Sequence, residues 1–101
     1  MAVNRKKRRL KSVAVYLPRV LYDAWLKELS AKEIAMAMLP TSESEISNMK
    51  AGDRSDFDVV YMQMPFWWTE WYTSLSKEDK FRFGRVIEKR LRSIGLIGGI
   101  I

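Results

Sequence analysis

Arg5, Lys6, Lys7, Arg8, Arg9 and Lys11 put six positive charges and no negative one into seven residues. Charge at that density attracts polyanions and displaces their counterions. On duplex DNA such an arm follows the backbone or enters a minor groove, and an arginine-rich segment that folds on RNA has the same composition. A second cationic set, Arg82, Arg85, Lys89 and Arg92, is spaced by 3, 4 and 3, which gathers it on one side of a helix. A stripe of that kind grips phosphates, lies on an anionic membrane surface or meets an acidic partner, and on an ordinary surface helix it is simply solvated. Between the two sets, Ser12 to Ser76 holds five basic and nine acidic residues, so the net charge of +6 is concentrated toward the two ends.

The chain contains neither Cys nor His. That removes thiol nucleophiles, imidazole bases, disulfides and zinc sites built from those residues. No pair of carboxylates stands out as an acid and a base, and Gly98 and Gly99 lie in an apolar tail with no Lys after them, which excludes a phosphate-cradling loop. No enzymatic activity, metal or cofactor is expected. Phe66, Trp67, Trp68, Trp71 and Tyr72 place five aromatics in seven residues. Platforms that stack unpaired bases interleave aromatics with basic residues, whereas the only charge in this run is Glu70. A core or subunit interface is the better reading, with Trp67, Trp68, Trp71 and Tyr72 as the expected oligomer contacts.

The elements that would position these groups read as helices. With 101 residues the chain suits one domain: a flexible arm over 1–11 and a single helical domain over 12–101. Val13, Val15 and Leu17 alternate in a short extended entry, after which Pro18 opens a helix with Leu21, Trp25 and Leu29 on one face. Ser30 and Glu33 have capping-box spacing and predict a second helix ending before Pro40. Ser42 and Glu45 repeat that spacing for a third, running to 51 and closed by Gly52. Val59, Val60, Met62 and Met64 begin a further apolar segment that Pro65 must kink or break. Ser76 caps a last helix over 77–94, with Phe83, Val86, Ile87, Leu91 and Ile94 as its apolar stripe. The fold class expected is all-α, five or six short helices behind a basic arm. No apolar run approaches the roughly 18 residues of a membrane span, so a soluble, cytoplasmic protein without membrane contact is expected.

The segment 30–52, SAKEIAMAMLPTSESEISNMKAG, resembles the helix-turn-helix of temperate-phage regulators, the Cro and CI repressors and especially the CII activators. Ala35 matches the small residue of the first helix, Ile34 and Met38 its core positions, and Ile46 and Met49 the anchors of the recognition helix. From Ala35 to Ile46 the spacing is eleven, which implies a turn one residue longer than usual for the family. The resemblance implies a phage-type transcriptional regulator that binds double-stranded DNA as a homodimer or higher homo-oligomer. Host transcription machinery is kept as a further partner. Ser42, Glu43, Ser44 and Asn48 would meet base edges, Thr41, Ser47 and Lys50 would lie near phosphates, and Arg5 to Lys11 would add backbone or minor-groove contacts. Two rivals stand beside it. One is a phage- or plasmid-encoded inhibitor that binds a host protein or nucleoprotein complex through its acidic and aromatic surface. The other is a ribbon-helix-helix regulator, suggested by Val13 to Pro18 before a helix, with Ser12, Ala14 and Tyr16 facing outward.

Overall fold

The computed structural model describes residues 9–21 and 30–93. Strand β1 (Leu10–Pro18) pairs antiparallel with strand β2 (Phe57–Pro65), from Leu10 opposite Pro65 to Pro18 opposite Phe57. The fold is therefore mixed, a two-stranded ribbon packed with helices, and the all-α expectation is corrected. The cause is alternation matched across the chain. Val13 and Val15 face Met62 and Val60 in the register, so each strand supplies the apolar face that the other lacks. Pro65 costs β2 nothing at its last position, where the missing N–H also suits the start of a helix. The strand begins at Leu10, so Lys11 belongs to the ribbon and not to the arm.

Arg19 to Leu21 turn into helix directly after Pro18. Trp25 and Leu29, expected on that first helix, lie outside the described residues, as do residues 1–8 and 94–101. Helices α1 (Ala31–Ala37) and α2 (Glu43–Asn48) follow, then a 3-10 turn (Arg54–Asp56) that leads into β2. After β2 come α3 (Phe66–Ser74) and α4 (Lys77–Ser93). The expected cap of the last helix is formed, with the Ser76 hydroxyl accepting from the Asp79 N–H at 3.1 Å.

One core joins these elements: Val13, Val15 and Leu17 of β1, Met38 after α1, Trp68 and Tyr72 of α3, and Phe83, Val86, Ile87 and Leu91 of α4. Four of the five stripe residues predicted for the last helix are thus buried, and Ile94 is outside the described residues. Helix α4 lies against β1 so closely at Gly84 that a Cβ there would come within 2.9 Å of the Tyr16 carbonyl oxygen and 2.8 Å of the Phe57 ring. Helix α3 meets the same strand through Tyr72, whose buried hydroxyl accepts from the Tyr16 N–H at 3.0 Å. At Tyr16 the β1 edge turned away from β2 is covered by these contacts. Among the described residues no helix is long and apolar enough to cross a membrane.

Candidate nucleic-acid interface

The α1 to α2 unit is built by its caps. Ser30 and Glu33 form the reciprocal box, the Ser30 hydroxyl accepting from the Glu33 N–H at 3.2 Å and the Glu33 carboxylate from the Ser30 N–H at 2.9 Å. Ser42 caps α2 by accepting from the Glu45 N–H at 3.1 Å. Glu45 does not return to Ser42, because its carboxylate takes the Thr41 hydroxyl instead. The far end of α1, where carbonyls lack helical partners, is held by two donors from distant elements. The Trp68 indole N–H reaches the Met38 carbonyl at 2.6 Å, and the Arg90 guanidinium reaches the Ala37 and Leu39 carbonyls at 2.8 and 2.6 Å. Burial lowers the pKa of Arg90, opposed by the charge of Glu45.

Two details depart from the helix-turn-helix the sequence suggested. Ala35, the expected small packing position, is exposed, and α1 turns Ala37 and Met38 inward. Helix α2 ends at Asn48 and not at 51, because Met49 leaves in extended conformation with φ −89° and ψ 137°. Lys50 therefore sits in the exit from the helix. Gly52 marks the next turn, at φ +74°.

Of the expected DNA contacts on this unit, Ser42, Glu43, Ser44, Ser47, Asn48 and Lys50 are exposed and Thr41 is half-buried. Four of them, Thr41, Glu43, Ser47 and Lys50, line two separate grooves. Thr41, Glu43 and Ser47 line a groove of about 390 Å³ that also takes in Trp71 and Asp79, so two carboxylates face the same space. Among the described residues no Lys or Arg lines that groove. On the other side Lys50 joins Lys89, Arg92, Arg85 and Glu88 around a groove of about 560 Å³ floored by Met49. That flank is cationic.

Much of the cationic stripe on α4 is consumed by the fold. Arg82 pairs with Asp79 at 2.9 Å, and Arg92 pairs with Glu88 at 2.9 Å. Arg85 donates to the Ala51 carbonyl at 2.7 Å, pairs with Glu88 at 3.0 Å and covers the Phe57 ring at 4.6 Å. It pins the 51–57 connection onto α4, a role that spacing on a helix face cannot reveal. Lys50 and Lys89 remain exposed.

Arg5, Lys6, Lys7 and Arg8 lie outside the described residues. Arg9 and Lys11 are described, exposed, and turned toward Phe66, with 4.8 Å and 5.9 Å from their charged groups to the ring centre. The expectation of an aromatic oligomer interface is corrected in large part. Trp68 and Tyr72 are buried inside the chain and stacked at 4.9 Å, and Trp71 packs edge-on against Phe83 at 5.0 Å. A helix of nine residues seated between a sheet and another helix buries more of its circumference than an isolated amphipathic helix would. Only Trp67 of the four points outward, 58% exposed.

Comparison with protein-family models, with curated proteins and with solved structures finds no match.

Proposed function

We propose that the chain is a sequence-specific DNA-binding regulator in which the basic arm supplies affinity and the surface around α2 supplies sequence preference. The observation that supports this reading most is the seating of α2. Ile46 is driven into the protein at 2% exposure, which leaves Ser44 and Asn48 facing solvent, and the following Lys50 lines the cationic groove. Asn48 can pair bidentately with an adenine edge, and Lys50 and Lys89 would take the phosphates next to it. Glu43, on the acidic flank, suits a cytosine amino group. A helix of six residues rises only about 9 Å, so it reads few base pairs. A second copy of the chain doubles the contact.

The ribbon favours a second location for the same activity. A two-stranded ribbon fits a major groove, and here the arm leads directly into one. Ser12 and Ala14 on β1 and Tyr61 and Gln63 on β2 are exposed across from each other, with no carboxylate among them. Tyr16 does not join them, because it stacks on Phe81 at 4.5 Å.

A gel shift on fragments of the source genome, with Asn48→Ala and Gln63→Ala as variants, separates the two. Asn48→Ala is expected to cost about 1 to 3 kcal/mol at a preferred site and little on random DNA. That pattern from Gln63→Ala, with Asn48→Ala silent, would move the reading face to the ribbon. Absence of any fragment preference would contradict the regulator reading and favour a protein-directed inhibitor.

A further inference from the structure

The aromatic run lacks basic residues in sequence, yet the fold brings them to it. Because Leu10 pairs with Pro65, the residues that flank Leu10 arrive at the first turn of α3. The Arg9 guanidinium lies 4.8 Å from the centre of the Phe66 ring and the Lys11 ammonium 5.9 Å from it, both within reach of a cation–π contact. Trp68, Thr69 and Tyr72 take the buried side of α3. Phe66 and Trp67 are thereby left outward, 38% and 58% exposed. Beside Trp67 a shallow hollow of about 140 Å³ opens between Leu39, Met38, Met64 and Pro65. Four more cations, Arg5 to Arg8, precede Arg9 in the chain. Glu70, one turn further along α3, is exposed as well.

From this juxtaposition we infer that the corner where β1 starts and α3 begins is a stacking platform for unpaired nucleotides. A base lies on Trp67 beside Phe66, and the sugar-phosphate chain runs toward Arg9 and Lys11. The ligand class follows from the chemistry. Flat exposed rings next to concentrated positive charge match a strand with π-faces and one phosphate per nucleotide. In a duplex those faces are already stacked, so paired DNA does not use this surface. An acidic amphipathic peptide shares the charge complementarity, but it would need to seat an apolar face, and the hollow of about 140 Å³ beside Trp67 offers little room for one. The platform does not depend on the duplex-reading surface around α2.

The test is a fluorescence titration of the full chain with oligothymidylate at low salt, with a mixed-sequence duplex in parallel. Stacking is expected to quench tryptophan emission. Trp67→Ala should remove most of that quench and weaken single-strand binding roughly tenfold or more, leaving duplex binding within about twofold. Trp67→Phe, which keeps a flat ring, should recover most of the affinity. Because the Trp67 side chain is largely outside the core, thermal melts of both variants should match the parent, which separates lost binding from lost fold. Single-strand affinity unchanged in Trp67→Ala would overturn the platform. So would binding of a Leu- and Glu-rich helical peptide that depends on Trp67 while oligothymidylate fails to bind.

Discussion

Tyr72 illustrates how a single hydroxyl can hold two elements in place. Its ring stacks on Trp68 in the core, and its oxygen accepts the Tyr16 N–H at the edge of β1 turned away from β2. Burial raises the phenol pKa well above its usual value, so the group stays a neutral hydrogen-bonding partner throughout the physiological range. Tyr72→Phe keeps the ring and leaves the Tyr16 N–H without an acceptor. A loss of about 1 to 3 kcal/mol in urea unfolding is expected, with little change in DNA affinity at temperatures where the variant is folded. A loss of DNA affinity without loss of stability would instead place Tyr72 in the binding surface. Residue types alone marked Ser30, Glu33, Ser42 and Ser76 as caps, because capping is local chemistry over three positions. They could not assign Arg85 or Arg90. Those guanidiniums act on carbonyls 34, 51 and 53 positions away, and on a helix wheel they look like any solvated cation.

Among the elements, β2 is the one that sequence patterning misassigned. Val60, Met62 and Met64 alternate as a strand requires, but the exposed Val59 beside Val60 blurs the period, and Pro65 followed by aromatics reads as an interrupted helix. A strand also needs a partner, and the partner lies on the far side of both α1 and α2. Short-range pattern carries no information about a pairing that distant. The last helix was legible because its period of 3.6 runs unbroken over four turns. Its Gly84 was not, since the reason for it is the strand that crosses there. Gly84→Ala gains helix propensity of about 1 kcal/mol but forces Phe57 and the Tyr16 carbonyl to shift. Overpacking of that kind typically costs about 1 to 3 kcal/mol, so a net fall in melting temperature is expected. A rise would mean that α4 can move off β1 at little cost.

At the scale of the whole molecule, charge separates structure from the proposed binding. The fold neutralises much of α4, keeps Glu43 and Asp79 on one flank of α2 and leaves Lys50 and Lys89 exposed on the other. Of the proposed contacts, the exposed position of the polar residues around α2 was legible from the buried anchor Ile46. Their division into an acidic and a cationic flank was not, because Asp79 and Lys89 reach α2 only through tertiary packing. The arm carries the dense charge, and affinity gained by counterion release grows with the number of phosphates it neutralises. The most direct measurement compares the full chain with a chain starting at Leu10, which removes Arg5, Lys6, Lys7, Arg8 and Arg9 but keeps β1 whole. Fluorescence anisotropy on a duplex carrying a preferred fragment gives the slope of log affinity against log salt for each. The account predicts that the shorter chain binds all duplexes more weakly, with a slope lower by about 4 to 5, while the ratio between preferred and random duplex holds. An unchanged slope with unchanged affinity would show that the arm meets no phosphates and would contradict the proposal that the arm supplies the affinity for DNA.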